Sequence, residues 1–178
     1  MRYKRIKKIL LFLCLFIGIA AVYGSICMLI DPTGKLLQMN EMLPYFQVLP
    51  FSDILFQNYI FSGICLLIVN GISNLVAAYL IIKNKKIGII LGTVFGFTLM
   101  LWTIIQFIIF PTNIMSTIYF VFGTMQLIAG YITYVFYTQG NFRFDLNDYK
   151  NIGKNKESIV VYFSRMGYTK KIAYESRF

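Results

Sequence analysis

Four long apolar runs, separated by short polar segments, make up most of the chain. They cover residues 9–30, 54–82, 87–110 and 114–138. At a rise of about 1.5 Å per residue, a helix formed by any of them is long enough to cross a hydrocarbon core of about 30 Å. The pattern therefore predicts an all-α membrane protein, with a four-transmembrane-helix bundle over residues 1–138.

The first apolar run follows a short basic segment, which is also how a secretory signal peptide begins. The apolar part of a signal peptide is only about 7 to 15 residues long, whereas this run extends over residues 9–30. We therefore expect an uncleaved transmembrane helix. Asp31-Pro32-Thr33-Gly34 is expected to end it, because proline removes a backbone donor and glycine permits a turn.

The segment after this turn, residues 35–53, is too apolar for a solvated loop and is interrupted by Pro44 and Pro50. We expect it to lie on the outer membrane surface with its aromatic rings in the interface; a ligand-binding cap is the alternative. The second run, residues 54–82, is longer than one crossing requires. It either tilts or begins above the bilayer, with Gln57 and Asn58 in the interface.

Composition and charge agree with a membrane protein. Hydrophobic residues make up 58% of the chain and charged residues only 13%, whereas apolar residues make up about 45–50% of an ordinary soluble domain. The net charge of +10 does not indicate nucleic-acid binding, because the basic residues cluster at the ends of apolar runs. With the amino end inside, 16 of the 17 Lys and Arg residues lie inside and Lys35 alone lies outside. The positive-inside rule then predicts a multi-pass protein of the cell membrane with both termini cytoplasmic.

Small and polar residues recur at three- and four-residue steps in each run, which places them on one helix face. The stripes are Cys14, Gly18, Ala21 and Ser25; Gly63, Asn70, Asn74 and Ala77; Gly88, Gly92, Gly96, Thr103 and Gln106; and Gly123, Gln126, Gly130 and Thr133. Lipid gives helices no hydrophobic drive to associate, so close packing and hydrogen bonds must supply it. The stripes therefore predict the contact faces of a compact bundle. Leu91, one position off its stripe, is expected to face lipid.

The amides of these stripes allow two interpretations: they hold helices together, or they line a polar site for a neutral lipid, a quinone or a small solute. The last three runs contain no Asp, Glu, Lys, Arg or His, so the sequence indicates no proton relay or ion site there. The chain has no His, and its cysteines lack the spacing of metal ligands. We expect no metal site and no bis-histidine haem, and we interpret Cys14, Cys27 and Cys65 as packing residues.

A polar stretch, residues 139–158, is expected to form a cytoplasmic linker. Residues 159–163 then have the pattern of a short buried strand, residues 164–169 that of a loop, and a helical pattern begins at Lys170. This order places free backbone N–H groups and the positive end of a helix dipole around one point. The hydroxyls of Ser164 and Thr169 can donate to the same point, so the pattern predicts a phosphate site.

The spacing in this segment is that of the flavodoxin signature: an aromatic residue, any residue, Ser or Thr, two residues, Gly, any residue, Thr, three residues and Ala. The matching residues are Tyr162, Ser164, Gly167, Thr169 and Ala173. The segment thus resembles the opening of a flavodoxin, and the resemblance implies that its loop binds the phosphate of FMN. The implied FMN-binding residues are Ser164, Arg165, Met166, Gly167, Tyr168 and Thr169. Met166 and Tyr168 depart from the commonest family pattern, so some phosphate hydrogen bonds are expected to be lost.

The resemblance implies that residues 159–178 are the truncated start of a flavodoxin-like α/β domain. In a flavodoxin the loops that hold the flavin ring come from later strands of the sheet. We therefore expect that the 178-residue chain lacks flavin activity by itself. The membrane part, in turn, resembles an uncharacterised family of small bacterial four-span proteins. The similarity lies in Asp31-Pro32-Thr33-Gly34, Pro50-Phe51-Ser52-Asp53, Asn70-Gly71, and Trp102 with Gln106.

Two functions from different classes follow from the sequence. In the first, the bundle tethers a flavodoxin-like electron-transfer domain, whose FMN exchanges electrons with a membrane redox partner. In the second, the bundle itself is the working part, as a structural or accessory membrane protein that binds a lipid or a quinone, and the tail is inert.

Overall fold

A computed structural model describes residues 2–110 and 113–140 of the chain. Within these residues the protein is helical, and four helices are long and apolar enough to cross a membrane. They are α1 (Arg2–Ile30), α2 (Ile60–Ile82), α3 (Lys86–Ile109) and α4 (Ile114–Gly140). Each contains most of one predicted run, so the four-helix membrane part of the predicted fold is confirmed. The flavodoxin-like start predicted for residues 159–178 lies outside the described residues.

The four helices pack around one core, in which α1 with α2 and α3 with α4 form the two most extensive pairs, and α1 also contacts α4. The buried apolar side chains of this core are Leu10, Leu13, Cys14, Ile17, Ala77, Ala78, Ile81, Ile89, Leu99 and Ala129. The outward faces carry large apolar side chains, among them Phe12, Ile19, Ile68, Tyr79, Phe97 and Tyr131. Small residues inside and large apolar residues outside are what helices packed in lipid require.

The predicted stripes lie on the inner faces of the helices. Every stripe residue is buried except Gln106, which is half-buried. The prediction for Leu91 is wrong: this side chain is half-buried and packs against the core. The reason is that α3 lies between α2 and α4 and contacts both, so its buried face is wider than one stripe. The outward side of α3 carries Val94, Phe97 and Leu101.

α2 begins at Ile60, six residues after the start of the second apolar run at residue 54. Ser52–Leu55 forms a separate helical turn. The side chain of Asn58 then accepts a hydrogen bond of 3.0 Å from the backbone N–H of Ile60, and such an Asx turn starts a new helix. Gln57 and Asn58 therefore precede α2. In the middle of α2, Leu67–Ile72 forms a π-helical turn that the sequence pattern did not predict.

Residues 31–59 form a cap over one end of the bundle, which begins with a turn held by the carboxylate of Asp31. One carboxylate oxygen accepts bonds from the hydroxyl of Thr33 at 2.6 Å and from its backbone N–H at 3.1 Å. The other oxygen accepts a bond of 2.8 Å from the backbone N–H of Leu36. These hydrogen bonds, the Thr33 hydroxyl foremost, lower the pKa of Asp31 from its ordinary value. The turn is therefore stabilised by the ionised carboxylate.

Tyr59 docks this turn onto the start of α2. Its backbone N–H donates to the carbonyl oxygen of Pro32 at 3.0 Å, and its hydroxyl donates to that of Met39 at 2.6 Å. Burial raises the pKa of this phenol to about 12. Gly34 has a φ of +79°, and a Cβ atom there would lie 2.5 Å from Cε2 of Tyr59. Only glycine therefore suits this position.

Aromatic contacts hold the rest of the cap against the bundle. Tyr45 packs edge-on against Phe110 at the end of α3, with ring centroids 5.2 Å apart. Phe46 packs in the same way against Tyr59 at 5.7 Å. Outside these contacts Phe51 is 73% exposed. Exposed apolar side chains beside the ends of the helices agree with the expectation that this segment lies in the membrane interface.

Candidate functional site

The side chain of Gln126 reaches the centre of the bundle, where it contacts the other three helices. Its Nε2 atom donates to Oδ1 of Asn74 on α2 and to the carbonyl oxygen of Gly92 on α3, each at 2.8 Å. The same atom lies 3.5 Å from Sγ of Cys14 on α1. One fully buried amide therefore joins all four helices.

Asn74 extends this network along α2. Its Nδ2 atom donates to the backbone carbonyl oxygen of Asn70 at 2.9 Å. Turning the amide of Asn74 or of Gln126 around would bring two oxygens face to face, so the partners fix both orientations. We call Asn70, Asn74 and Gln126 the amide cluster.

Close backbone contact between α3 and α4 allows the side chain of Gln126 to reach the backbone of α3. A Cβ atom at Gly96 would lie 2.7 Å from the backbone nitrogen of Leu127 and 2.9 Å from the carbonyl oxygen of Gly123. Gln126 follows Gly123 by three residues and Gly92 precedes Gly96 by four, so both lie on the faces in contact. The glycines therefore bring the amide of Gln126 to an accessible carbonyl of α3.

Three polar atoms of the cluster have no hydrogen-bond partner among residues 2–110 and 113–140: Nδ2 and Oδ1 of Asn70, and Oε1 of Gln126. A buried polar atom without a partner costs about 1–3 kcal/mol. Asn70 also lies in the π turn of α2, and such turns are frequent at functional sites. These amides donate and accept hydrogen bonds but do not titrate. The cluster is therefore suited to a neutral polar group, not to acid–base chemistry.

The remaining polar stripe residues do not join the amide cluster. Gln106 accepts a hydrogen bond of 2.9 Å from the hydroxyl of Ser116, which links α3 to α4 near the cap. The hydroxyls of Ser25, Thr103 and Thr133 donate to carbonyls of their own helices at 2.7–2.8 Å, which satisfies them locally. The structure thus divides the predicted amides between one central network and one peripheral bond.

The end of the bundle opposite the cap is strongly basic. The side chain of Lys7 on α1 donates to Oδ1 of Asn84 in the turn between α2 and α3. The ring of Tyr3 packs against that of Tyr137 near the end of α4, with centroids 6.4 Å apart. The start of α1, the α2–α3 turn and the end of α4 therefore lie together. We call this the basic end; it comprises Arg2, Lys4, Arg5, Lys7, Lys8, Lys83, Lys85 and Lys86.

The predicted FMN-binding residues, Ser164, Arg165, Met166, Gly167, Tyr168 and Thr169, lie outside the described residues. α4 ends at Gly140 beside the basic end, and residues 141–178 continue from there. No family model matches the chain, and neither a curated protein nor a solved structure matches it. The resemblances to a flavodoxin and to a family of four-span proteins thus remain predictions from the residues that carry them.

Sequence reasoning missed two features of the structure around the amide cluster. The first is the carbonyl oxygen of Gly92, because a backbone acceptor leaves no sign in a residue pattern. The second is the π turn around Asn70, for which the only signal is the pair Asn70-Gly71 within an apolar run. Both residue types have poor helix propensity, so this pair marks the position where the α-helical pattern is weakest.

Proposed function

We propose that the four-helix bundle is a membrane anchor that holds residues 141–178 at the cytoplasmic surface of the cell membrane. The observation that carries this proposal is the position of the end of α4. The Tyr3–Tyr137 contact, and the placement of Lys86 over the ring of Tyr134 at 5.4 Å, put this end beside the basic end. By the positive-inside rule the basic end faces the cytoplasm.

In this proposal residues 141–178, which we call the tail, carry out the chemistry, and the bundle holds them at the membrane. The flavodoxin-like loop of residues 164–169 contributes the phosphate contacts of an FMN site. The flavin of the complete domain then exchanges electrons with a redox partner in the same membrane. Tethering raises the effective concentration of the two partners without any new contact between them. The bundle suits this role, because its core is held by neutral amides and close glycine contacts.

The topology is tested by labelling single cysteines with a membrane-impermeant thiol reagent. The parent is a variant in which Cys14, Cys27 and Cys65 are replaced by alanine or serine. A Lys35→Cys variant should be labelled on intact cells, and an Asn155→Cys variant only after the membrane is opened. The reverse pattern would overturn the proposed orientation, and labelling of both on intact cells would show that the chain does not cross the membrane as proposed.

The flavodoxin resemblance is tested separately, by replacing the first strand, phosphate loop and helix start of a soluble flavodoxin with residues 159–173 of this chain. The chimera should retain FMN, and Thr169→Ala in it should weaken FMN binding more than riboflavin binding, since riboflavin lacks the phosphate. A chimera that is folded by circular dichroism but does not prefer FMN to riboflavin would refute the assignment. The 178-residue chain itself should not quench FMN fluorescence with sub-micromolar affinity.

A second candidate function is binding of a small neutral molecule, such as a quinone or a lipid, in the bundle. The side-chain amide of Asn70 favours it, because this amide is 1% exposed and has no hydrogen-bond partner within the described segments. If Asn70 holds such a molecule, adding a quinone or a neutral lipid should raise the melting temperature of the parent but not that of Asn70→Leu. If the additive has no effect on the parent and Asn70→Leu melts higher, the cluster serves packing alone, because leucine removes two unpartnered atoms.

A further inference from the structure

The basic end carries eight cationic side chains that have no anionic partner in the described structure. All but Lys7, which is half-buried, are exposed. The acidic residues of segments 2–110 and 113–140 are Asp31, Glu41 and Asp53, and all three belong to the cap at the opposite end. No ion pair therefore neutralises the basic end within these segments. Unneutralised charges this close together attract an anionic surface over about 8–10 Å at physiological ionic strength.

Two separate basic segments are joined into one surface here. The hydrogen bond from Lys7 to Asn84 brings the start of α1 against the α2–α3 turn. Asn84 has a φ of 57°, which reverses the chain sharply, so that lysines both before and after it lie near Lys7. Lys83 sits over the ring of Tyr79 at 5.7 Å from its centroid. The side chain is thereby held at the border between the apolar side of the bundle and its basic end.

Apolar surface lies directly next to these cations. Ile9 follows Lys8 on α1, Ile82 precedes Lys83 on α2, and Ile87 follows Lys86 on α3. Each of the three isoleucines is about half exposed. A ligand for this surface must therefore place a negative group on the lysines and hydrocarbon on the isoleucines. A diacyl phospholipid with a net negative headgroup has both, whereas a nucleic acid or free phosphate has only the negative group.

We propose that the basic end is a binding site for anionic phospholipids, with the headgroup held between the start of α1 and the α2–α3 turn. Basic surfaces between membrane helices are known to recognise anionic headgroups. The proposal does not depend on FMN or on which side of the membrane the basic end faces. Its failure is therefore distinguishable from failure of the proposed function.

The experiment measures lipid retention by native mass spectrometry of the full chain, extracted in detergent with equal amounts of phosphatidylglycerol and phosphatidylcholine. The parent should retain phosphatidylglycerol in preference to phosphatidylcholine. The triple variant Lys83→Gln, Lys85→Gln and Lys86→Gln should bind it about 100-fold more weakly, since each lysine near an anionic surface contributes about fivefold and the three contributions multiply. Lys35→Gln, the lone basic position of the cap, is the matched control and should behave like the parent.

Three results would overturn the proposal. They are equal retention of both lipids by the parent, a loss of phosphatidylglycerol binding in Lys35→Gln as large as that in the triple variant, and displacement of phosphatidylglycerol by millimolar inorganic phosphate. The last would indicate a site for small anions instead of lipids. If the melting temperature of the triple variant differs from that of the parent in mixed micelles of detergent and phosphatidylcholine, the single variant Lys85→Gln is used. Its expected loss is about fivefold, and an unchanged affinity would refute the role of the turn.

Discussion

The contact between α3 and α4 leaves no room for a side chain at Gly96, and this makes the packing of the bundle testable with the smallest possible change. In Gly96→Ala, the new Cβ atom would lie 2.7 Å from the backbone nitrogen of Leu127 and 2.9 Å from the carbonyl oxygen of Gly123. Ordinary contacts begin at 3.4 Å. Because both neighbours are backbone atoms, the helices must separate by about 0.7 Å, the difference between 3.4 and 2.7 Å.

Two opposing terms set the size of the effect. Overpacking of a close contact costs about 1–3 kcal/mol, and separation of the helices also stretches the nearby hydrogen bond from Gln126 to Gly92. Alanine, on the other hand, gains about 0.5–1 kcal/mol over glycine in a helix. We expect Gly96→Ala to lower the free energy of unfolding by about 1–2 kcal/mol net. For a chain of this size that corresponds to a melting temperature lower by about 2–8 °C.

Gly24→Ala is the matched control, because it makes the same chemical change within α1. A Cβ atom at Gly24 would meet only the end of the Leu66 side chain, at 3.4 Å, so this variant should melt at or above the temperature of the parent. Gly92→Leu, whose Cβ would lie 3.2 Å from Sγ of Cys14, should also melt lower, whereas Val94→Leu on the exposed face should not.

Melting is followed in detergent with a dye that fluoresces on reacting with thiols, since Cys14 and Cys27 are buried until the bundle opens. The packing assignment would be refuted if Gly96→Ala melted like the parent while Gly24→Ala melted several degrees lower.

Three further predictions concern the hydrogen bonds of the core and the cap. A double-mutant cycle of Asn74→Leu and Gln126→Leu should give a coupling of about 0.6–1.7 kcal/mol in detergent unfolding, and no coupling would contradict the 2.8 Å bond. Carbon-13 NMR titration should give Asp31 a pKa below that of an unperturbed aspartate, and this pKa should rise in Thr33→Val, because the hydrogen bond from the Thr33 hydroxyl is the main cause of the shift. Since folding lowers the pKa, the stabilisation is present above the unfolded pKa of about 3.9 and is lost as the pH falls through the folded pKa. A pKa that is not shifted would contradict this prediction. Tyr59→Phe should lower the free energy of unfolding by about 0.5–1.5 kcal/mol in the same melting assay, because it removes the 2.6 Å hydrogen bond from the Tyr59 hydroxyl to the carbonyl oxygen of Met39. An unchanged melting temperature would contradict this bond.

The helix faces were predictable because their cause is local. A three- and four-residue recurrence of small residues follows directly from the geometry of a helix, and close packing in lipid requires small residues. Cys14, Asn74 and Gly123 were therefore assigned to inner faces that the structure confirms. Leu91 was assigned wrongly because the width of a buried face depends on how many neighbours a helix has, which only the assembled bundle determines.

The partners of the amides were not predictable for a related reason. Gln106 and Gln126 both belong to predicted stripes, yet only Gln126 is fully buried at the centre, while Gln106 binds Ser116 near the cap. Gln106 lies near the end of α3 and Gln126 near the middle of α4. Which atoms lie opposite each amide depends on how the neighbouring helices are shifted along one another: α2, whose Asn74 binds Gln126, begins at Ile60, more than one helical turn after the start of its apolar run at residue 54.

The two ends of the bundle differ in charge, and the proposed orientation of the chain follows from this difference. Inverting the bundle would place the eight cations of the basic end on the outer side and leave Lys35 as the only described cation inside, against the positive-inside rule. The contact of Lys7 with Asn84 and that of Tyr3 with Tyr137 keep α1, the α2–α3 turn and the end of α4 on one side. The end of α4 cannot then change sides without the whole bundle turning over. In the proposed function, a flavin domain that follows Gly140 therefore meets partners on the side of the membrane that the basic end faces.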